Sequence, residues 1–395
     1  MLTGGHTARR PGGQKDRPHA ALLPVYAQFP LTPVSARGSW IVDEEGQRWL
    51  DAYGGHAVAS TGHSHPHVVR AIAAQAEQFL FYSTVLPHPN RAELAERLVG
   101  LLPAGLDRVF FCNSGAEANE NALHLARKRT GRQRVLSVSG GWHGRSVATL
   151  AVTDGAKYEA GAIRAGTPLS TKVPFNDIAA LESAFDDTIA ALIVEPVQGM
   201  AGARECSPEF LRAARVLCTR HNAALIFDEI QSGIGRVGAF TAAELYGVTP
   251  DALALAKGLA SGFPIGAVVV GDFLAEGITT GDLGSTFGGG PLACAAGIAT
   301  LEVIEREDLI GNAARIGQRL RSGALALGVP QVQGHGLLLG LKLNRPAAPV
   351  QQALFQRHVL AGTATDPQVL RLLPPLCFTA DEADQVLTAL REALT

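Results

Sequence analysis

The sequence lacks the features that mark disulfide-rich, metal-binding, membrane and secreted proteins. Its five cysteines are odd in number, scattered and never spaced as CxxC, which argues against a disulfide framework and a zinc site and favours reduced thiols. No apolar run is long enough to cross a bilayer. The first residues carry positive charge without an apolar segment after them, so they are not a secretory signal. These absences predict a cytoplasmic protein with no membrane partner.

The chain also lacks a strong charge imbalance. Its formal net charge is -2 over 395 residues, and without a basic tract interleaved with aromatics a nucleic-acid partner is not expected. What it has in quantity is apolar residues, 47% of the chain, together with 44 glycines. This composition is typical of a tightly turned α/β protein, and the length allows one large domain and a smaller one.

Patterns along the chain divide it into three parts. Residues 1–54 are predicted to form a loose tail of about twenty residues and an arm ending in a hairpin at 39–51. In residues 55–298 strand patterns alternate with helix patterns, which predicts a large α/β domain with a mostly parallel, doubly wound sheet. Residues 299–395 follow a long helix and alternate amphipathic helices with short strands, which predicts a smaller α+β C-terminal domain.

Two apolar runs, AALIFDE at 223–229 and ALALAKG at 252–258, each end with a charged residue, Asp228 and Lys257. Such runs predict interior strands of a parallel sheet, whose ligand sites lie at the carboxyl ends of the strands. A buried pair of opposite charges is costly unless it is used. Pyridoxal phosphate chemistry uses such a pair, because a lysine amine binds the cofactor and a carboxylate keeps its ring nitrogen protonated.

Two glycine-containing turns supply candidate binding residues. In NSGAEA at 113–118, Ser114 and Gly115 stand between a strand and a helix, where backbone N–H groups favour a phosphate; an ordinary capped helix is the alternative. In GGWHGR at 140–145, Trp142 is able to stack on a planar cofactor and Arg145 to bind a carboxylate. The alternative there is a turn with a core tryptophan and a surface arginine.

Two further patterns are weaker. The segment GIGRVG at 233–238 matches the dinucleotide pattern GxGxxG, but it comes late and lacks the acidic residue expected after a second strand, so we interpret it as a loop. The segment HSHPH at 63–67 resembles a metal site. However, Pro66 suits the start of a helix and the following residues are helical, which favours capping and packing roles over a metal.

Six segments together carry a family resemblance. The chain resembles the class III pyridoxal-phosphate aminotransferases, most closely the acetylornithine/ornithine branch, over essentially everything after the tail. The resemblance implies fold type I of the pyridoxal-phosphate-dependent enzymes, with active sites completed across a homodimer. Its segments are NSGAEANENAL (113–123), WHGRS (142–146), VEPVQG (194–199), FDEIQSGIGR (227–236), AKGLASGFPIGA (256–267) and STFGGGPLA (285–293).

The resemblance also implies a role for individual residues. Lys257 would bind pyridoxal phosphate covalently and then move the substrate proton, and Asp228 would pair with the ring nitrogen. Trp142 and Ile230 would cover the two ring faces, and Gln231 would bond near the phenolic oxygen. The remaining implied residues are Ser114, Gly115 and Ala116 with Thr286 of the neighbouring subunit for the phosphate, Glu195 lining the site, and Arg145 and Arg371 for substrate carboxylates.

The expected reaction is transfer of an amino group from an amino acid to 2-oxoglutarate, with N-acetylornithine or a related diamino acid as donor and arginine biosynthesis as its setting. Two positions depart from the family. Trp142 stands where the family commonly has phenylalanine. More importantly, Met200 stands where that branch has an acidic residue that masks Arg371. This departure favours donors that themselves engage Arg371, such as α-amino acids. Ornithine, aminobutyrate and carrier-bound lysine are further alternatives, as are an aminomutase, a decarboxylase and a binding protein that retains the fold.

Overall fold

The computed structural model describes residues 22–23, 25 and 27–395, so the predicted tail lies outside the described residues. The strands are β1 Pro33–Arg37, β2 Trp40–Asp43, β3 Arg48–Asp51, β4 Arg108–Cys112, β5 Arg134–Val138, β6 Thr171–Val173, β7 Ile189–Val194, β8 Val197–Gln198, β9 Arg204–Glu205, β10 Ala224–Asp228, β11 Ala252–Leu255, β12 Gly266–Val270, β13 Gln331–His335, β14 Leu338–Lys342, β15 Val359–Leu360, β16 Gly362–Thr363 and β17 Val369–Leu372.

Fourteen helical segments are assigned in the described ranges, together with a short 3-10 turn at Lys257–Ala260. The first, α1, is a left-handed turn. The segments are α1 Gly54–Ala57, α2 Pro66–Gln78, α3 Pro89–Leu101, α4 Gly115–Thr130, α5 Val147–Val152, α6 Ala156–Arg164, α7 Ile178–Ala184, α8 Pro208–Arg220, α9 Ala242–Tyr246, α10 Asp272–Ala275, α11 Pro291–Arg306, α12 Leu309–Ala326, α13 Ala347–Phe355 and α14 Ala380–Leu394.

A seven-stranded sheet forms the centre of the molecule, in the order β4-β12-β11-β10-β7-β5-β6. The strands from β11 to β6 pair in parallel. Strand β12 pairs antiparallel with both β11 and β4, so β4 runs in the same direction as the parallel strands. The predicted mostly parallel sheet is therefore confirmed, with β12 as its reversed strand.

The central strands are apolar on both faces because helices cover both sides of the sheet. Every residue of β7, β10 and β11 is buried, as expected for interior parallel strands. Helix α4 packs against β7, β11 and β12, and α8 packs against β7 and β10. Helix α4 begins after Ser114 and ends at Thr130, and Gly131 caps it in the left-handed conformation with φ of 69°.

The C-terminal part forms its own antiparallel sheet, in the order β13-β14-β17-β16, with α12 and α13 packed against it. The predicted hairpin is confirmed as the antiparallel pair β2 and β3. Strand β3 also pairs in parallel with β15, so the N-terminal arm shares a sheet with the C-terminal part. The division into residues 1–54, 55–298 and 299–395 stays a proposal, and this shared sheet joins its first and third parts.

The two weaker patterns form turns and a helix start. Residues 233–238 lie in turns between β10 and α9. His63 Nε2 lies 2.7 Å from Asp51 Oδ2, whereas the His65 ring accepts a hydrogen bond from the first turn of α2 and contacts Glu307. The described residues contain no group of three or more histidine, cysteine or acidic side chains suited to a metal ion. None of the described helices has the length and apolar character needed to span a membrane.

Candidate active site

The carboxyl ends of five strands meet along one edge of the central sheet. Strands β4, β5, β7, β10 and β11 run the same way, and Ser114, Trp142, Glu195, Asp228 and Lys257 follow or end them in that order. The carboxyl edge is where open α/β sheets bind ligands. These five side chains surround one cavity of about 760 Å³.

Most of the site residues expected from the sequence lie on the wall of this cavity. They are Ser114, Gly115, Ala116, Trp142, Arg145, Glu195, Asp228, Ile230, Gln231 and Lys257. In the described part of the chain, Arg371 is not on the wall and Thr286 is exposed at the surface. His56, Asn113 and His143 also line the cavity, and no role was predicted for them from the sequence.

Asp228 is only 3% exposed and accepts three hydrogen bonds. Its Oδ2 accepts from Asn119 Nδ2 at 2.7 Å and lies 2.8 Å from His143 Nδ1, and its Oδ1 accepts from the Ile230 N–H at 3.1 Å. Asn119 Nδ2 also donates to the His143 carbonyl at 2.9 Å. These contacts compensate the burial of a negative charge and fix the direction in which the carboxylate faces.

Asn119 and His143 are the functional candidates that sequence reasoning missed. A signal for Asn119 was present, because it lies four residues after Gly115 on the helix face that also buries Ala118, Ala122 and Leu123. A polar residue on an apolar helix face needs a partner. For His143 the signal was only its place beside Trp142, and its contact with Asp228 spans 85 residues.

Lys257 follows β11 in a strained backbone conformation, with φ of 38°. A residue with a side chain rarely adopts this left-handed conformation, and such strain is concentrated at functional sites. The amine has no hydrogen bond or ion pair with another described residue. Burial lowers the pKa of Lys257, opposed by Asp228 and Glu195 and aided by Arg371. A neutral, nucleophilic amine is therefore available at a lower pH than in free lysine.

The N-terminus of α4 forms another side of the cavity. Ser114 Oγ accepts from the Glu117 N–H at 3.2 Å and donates to Glu117 Oε2 at 3.1 Å, so the helix is capped. The N–H groups of Gly115 and Ala116 lie in the first turn, where no intrahelical acceptor exists. A Cβ atom at Gly115 would come within 2.6 Å of Ile230 Cδ1, so a larger residue would force the Ile230 side chain to shift. Such an end suits a phosphate group.

Trp142 and Glu195 are joined through the backbone. The Trp142 N–H donates to Glu195 Oε1 at 2.7 Å, and the Gly199 N–H donates to Oε2 at 3.0 Å. Burial, reinforced by the negative charge of Asp228, raises the pKa of Glu195. The Trp142 ring packs edge-on against Tyr158 with centroids 4.7 Å apart, and the Arg145 guanidinium carbon lies 5.6 Å from the Trp142 centroid.

Arg371 is 2% exposed and is held by three neutral acceptors. Its Nε donates to the Thr363 carbonyl at 2.7 Å, its Nη1 to the Gly199 carbonyl at 3.1 Å, and its Nη2 to the Tyr53 hydroxyl at 2.7 Å. Tyr53 in turn contacts His56, which lines the cavity. Arg371 thus lies behind the cavity wall, connected to it through two side chains.

The cavity residues fit pyridoxal phosphate. The helix N-terminus offers amides for a phosphate, Asp228 offers a carboxylate for a ring nitrogen, and the amine of Lys257 has no partner among the described residues. The Oε1 atom of Gln231 is also buried without a partner in the described chain. A polar bound group would satisfy it, as buried polar atoms require.

A comparison with protein families supports this fit. The family model for class-III aminotransferases matches residues 24–394. The chain belongs to the class-III aminotransferases. It is therefore a transaminase that depends on pyridoxal phosphate, as the sequence predicted, and its fold is that of the type I enzymes of this cofactor.

Individual relatives agree over nearly the whole chain. It is 40% identical to an acetylornithine aminotransferase of Bordetella parapertussis over 385 residues, which covers 94% of this chain and 96% of the relative. An acetylornithine aminotransferase of Methanocaldococcus jannaschii is also 40% identical, with the same shares covered. The resemblance noted in the sequence is thereby confirmed.

Solved structures give the same result. The ornithine aminotransferase of Toxoplasma gondii superposes with a TM-score of 0.88 at 30% identity, covering 94% of this chain and 92% of that one. The acetylornithine aminotransferase of Elizabethkingia anophelis superposes with a TM-score of 0.82 at 30% identity, covering 94% and 95%. Another structure of the Toxoplasma gondii enzyme is described with pyridoxal phosphate at its active site.

Proposed function

We propose that this aminotransferase moves an amino group from N-acetylornithine, or a closely related diamino acid, to 2-oxoglutarate. The relatives at 40% identity are acetylornithine aminotransferases, and this donor would place the reaction in arginine biosynthesis. The observation that carries the proposal is that the Lys257 amine, which no other described residue binds, lies on the same cavity wall as the Asp228 carboxylate. Strands β10 and β11 are neighbours, and Asp228 is in register with Ala254, three residues before Lys257.

Bound pyridoxal phosphate supplies an aldehyde that condenses with amines and a ring that delocalises the electrons of a broken C–H bond. Within the proposal, Nζ of Lys257 would remove a proton from the amine-bearing carbon of the substrate and deliver it to the C4′ carbon of the cofactor. Asp228 holds a proton at the ring nitrogen. Ser114, Gly115 and Ala116 bind the phosphate, and Trp142 and Ile230 flank the ring. Gln231 bonds near its phenolic oxygen.

In this proposal two arginines bind the carboxylates of the substrate. Arg145 and Arg371 suit 2-oxoglutarate, since it carries two carboxylates and a guanidinium binds a carboxylate through two hydrogen bonds. Glu195 lines the same cavity with a raised pKa. A neutral form of its carboxyl group would reduce repulsion of an incoming dicarboxylate.

A homodimer in the cytoplasm is the proposed working form. Segment 79–86 exposes Phe79, Leu80, Tyr82, Val85 and Leu86, and its Phe81 packs on Phe287 with centroids 4.8 Å apart. A large exposed apolar surface of this kind favours a protein partner. Thr286, next to Phe287, would then reach the phosphate site of the neighbouring subunit.

A second donor class is favoured by Met200, which lines the cavity and has no charge to offer Arg371. Donors such as α-amino acids, whose own carboxylate engages Arg371, would then be preferred.

The test is a donor screen. The purified holoenzyme is supplied with 2-oxoglutarate and, in turn, N-acetylornithine, ornithine, N-acetyllysine and alanine, and glutamate formation is measured. We expect the highest kcat/KM with N-acetylornithine or another ω-amine. A tenfold preference for alanine would refute the proposed donor and support the second class. Formation of a decarboxylated or isomerised product without glutamate would refute the transfer reaction.

A further inference from the structure

Arg371 is a buried cation that has no acidic partner in the part of the chain that the structure describes. Its hydrogen bonds go to the carbonyls of Thr363 and Gly199 and to the hydroxyl of Tyr53, and no described carboxylate lies within ion-pair distance of it. Neutral acceptors compensate a buried charge less well than an anion does. The guanidinium is therefore poised for a carboxylate ligand.

Only one of these three acceptors is able to move aside. The two carbonyls belong to the backbone, whereas the Tyr53 hydroxyl is at the end of a side chain. Arginine has only donors, so the Tyr53 oxygen accepts from Nη2. The hydroxyl proton is then directed to His56 Nδ1, 2.9 Å away. This arrangement requires a neutral His56 with its proton on Nε2, and burial lowers the pKa of His56, aided by the charges of Arg371 and Lys257.

The backbone around Tyr53 is held in a costly conformation. Residues Gly54 to Ala57 have φ between 57° and 67°, and His56 and Ala57 carry side chains. A left-handed conformation costs roughly 1–2 kcal/mol for each such residue. Asp51 Oδ1 accepts from the N–H groups of Tyr53 and Gly54 at 2.9 and 2.8 Å and so anchors the turn. Strain that is retained beside an active site indicates a function.

We propose that Tyr53, positioned by His56, is the neutral partner of Arg371 between substrates and that an incoming carboxylate displaces it. His56 lies on the cavity wall and Arg371 behind it, so the carboxylate reaches the guanidinium by moving the Tyr53 ring. Tyr53 thereby sets the affinity for substrates with a second carboxylate. This inference rests on the proposed function, since it identifies the carboxylate of 2-oxoglutarate as the ligand.

The test measures glutarate, a dicarboxylate without the keto group, binding to the holoenzyme by calorimetry. Tyr53→Phe keeps the ring and removes the hydroxyl that competes for Arg371. We expect glutarate to bind about three- to tenfold more tightly, the size of one modest hydrogen bond. The KM for 2-oxoglutarate should fall by a similar factor, with a smaller change in kcat. In an Arg371→Met background the same substitution should have no effect.

Tyr246→Phe is the matched control, because the buried Tyr246 hydroxyl has no hydrogen-bond partner among the described residues and Tyr246 does not line the cavity. His56→Asn is the second variant, since asparagine tolerates the left-handed backbone but is too short to hold Tyr53. We expect it to tighten glutarate binding less than Tyr53→Phe, and it carries the test if the latter does not fold. Unchanged or weaker binding in both variants, or tightening that persists without Arg371, would overturn the inference. So would a wild-type enzyme that forms glutamate but does not bind glutarate.

Discussion

Asp228 and Arg371 are two buried charges of one site, and they are held in opposite ways. Each is almost inaccessible, at 3% and 2% exposure, and each has three hydrogen-bond partners. Asp228 lines the cavity together with His143, one of its partners, and Asn119 Nδ2 donates to the same carboxylate oxygen. Arg371 lies behind the wall, and Tyr53 stands between it and His56. One charge is presented to the cavity and the other is covered.

The supports of the two charges also differ. Asp228 ends a buried parallel strand, and Asn119 lies in the second turn of α4, so regular elements set the positions of both side chains. Tyr53 precedes a left-handed turn, which is anchored by hydrogen bonds from the Tyr53 and Gly54 N–H groups to Asp51. A fixed carboxylate suits a ligand that stays bound through every turnover, such as the cofactor. A cation with a replaceable neutral partner suits ligands, such as substrates, that bind and dissociate in each turnover.

The largest effect is expected at Lys257, because the amine would carry out the reaction for which both charges are arranged. Lys257→Ala should lower kcat for glutamate formation by at least about a thousandfold, and borohydride should no longer fix the cofactor to the protein, as judged by mass spectrometry. Lys128→Ala removes a lysine from a surface ion pair with Asp282 and serves as the control. A Lys257→Ala enzyme with a tenth of normal activity would disprove the role.

Asp228→Asn tests the buried carboxylate that lines the cavity. The amide keeps the shape but loses the charge that, in the proposed function, would face the ring nitrogen of the cofactor, so we expect kcat to fall by about a hundred- to a thousandfold. Steady-state kinetics with 2-oxoglutarate as acceptor measures this loss. Asp282→Asn makes the same change on the surface, where an ion pair contributes little. Equal activities of the two variants would show that the buried charge is not needed.

Substitutions at His143 test whether the function of Asp228 depends on the side chains that contact it. His143→Leu removes the ring that contacts Asp228, and we expect kcat to fall about tenfold, the worth of a hydrogen bond to a charged group. His143→Asn retains a donor, so it should recover part of the loss if positioning is the cause. If both variants lose activity equally and melt at equally reduced temperatures, His143 serves stability alone.

Met200→Glu tests the accessibility of Arg371 and is expected to give the smallest change in the kinetic constants. The new carboxylate on the cavity wall would compete with substrate for Arg371, so the KM for 2-oxoglutarate should rise about three- to tenfold. Met200→Gln has the same length without the charge and should raise it less. An identical KM in the two variants would show that position 200 does not communicate with Arg371.

The sequence predicted the parts of the molecule that local signals determine. Apolar runs identified the interior strands, the serine before α4 identified its start, and the charges at 228 and 257 ended neighbouring strands as expected. The direction of β12 was not predictable, because an apolar run has the same pattern in either orientation. Neither was the contact between Arg371 and Tyr53, which joins residues 318 positions apart. The left-handed turn was also missed, since its second half contains residues that rarely adopt that conformation.

The parallel pairing of Leu50 with Val359 has a consequence for how the chain is made. A ribosome adds about 5–20 residues per second. Roughly 15–60 s therefore pass between the synthesis of β3 and the synthesis of β15, the strand that covers its outer edge. During synthesis the hairpin therefore presents an open edge, where a chaperone or a neighbouring nascent chain is able to bind.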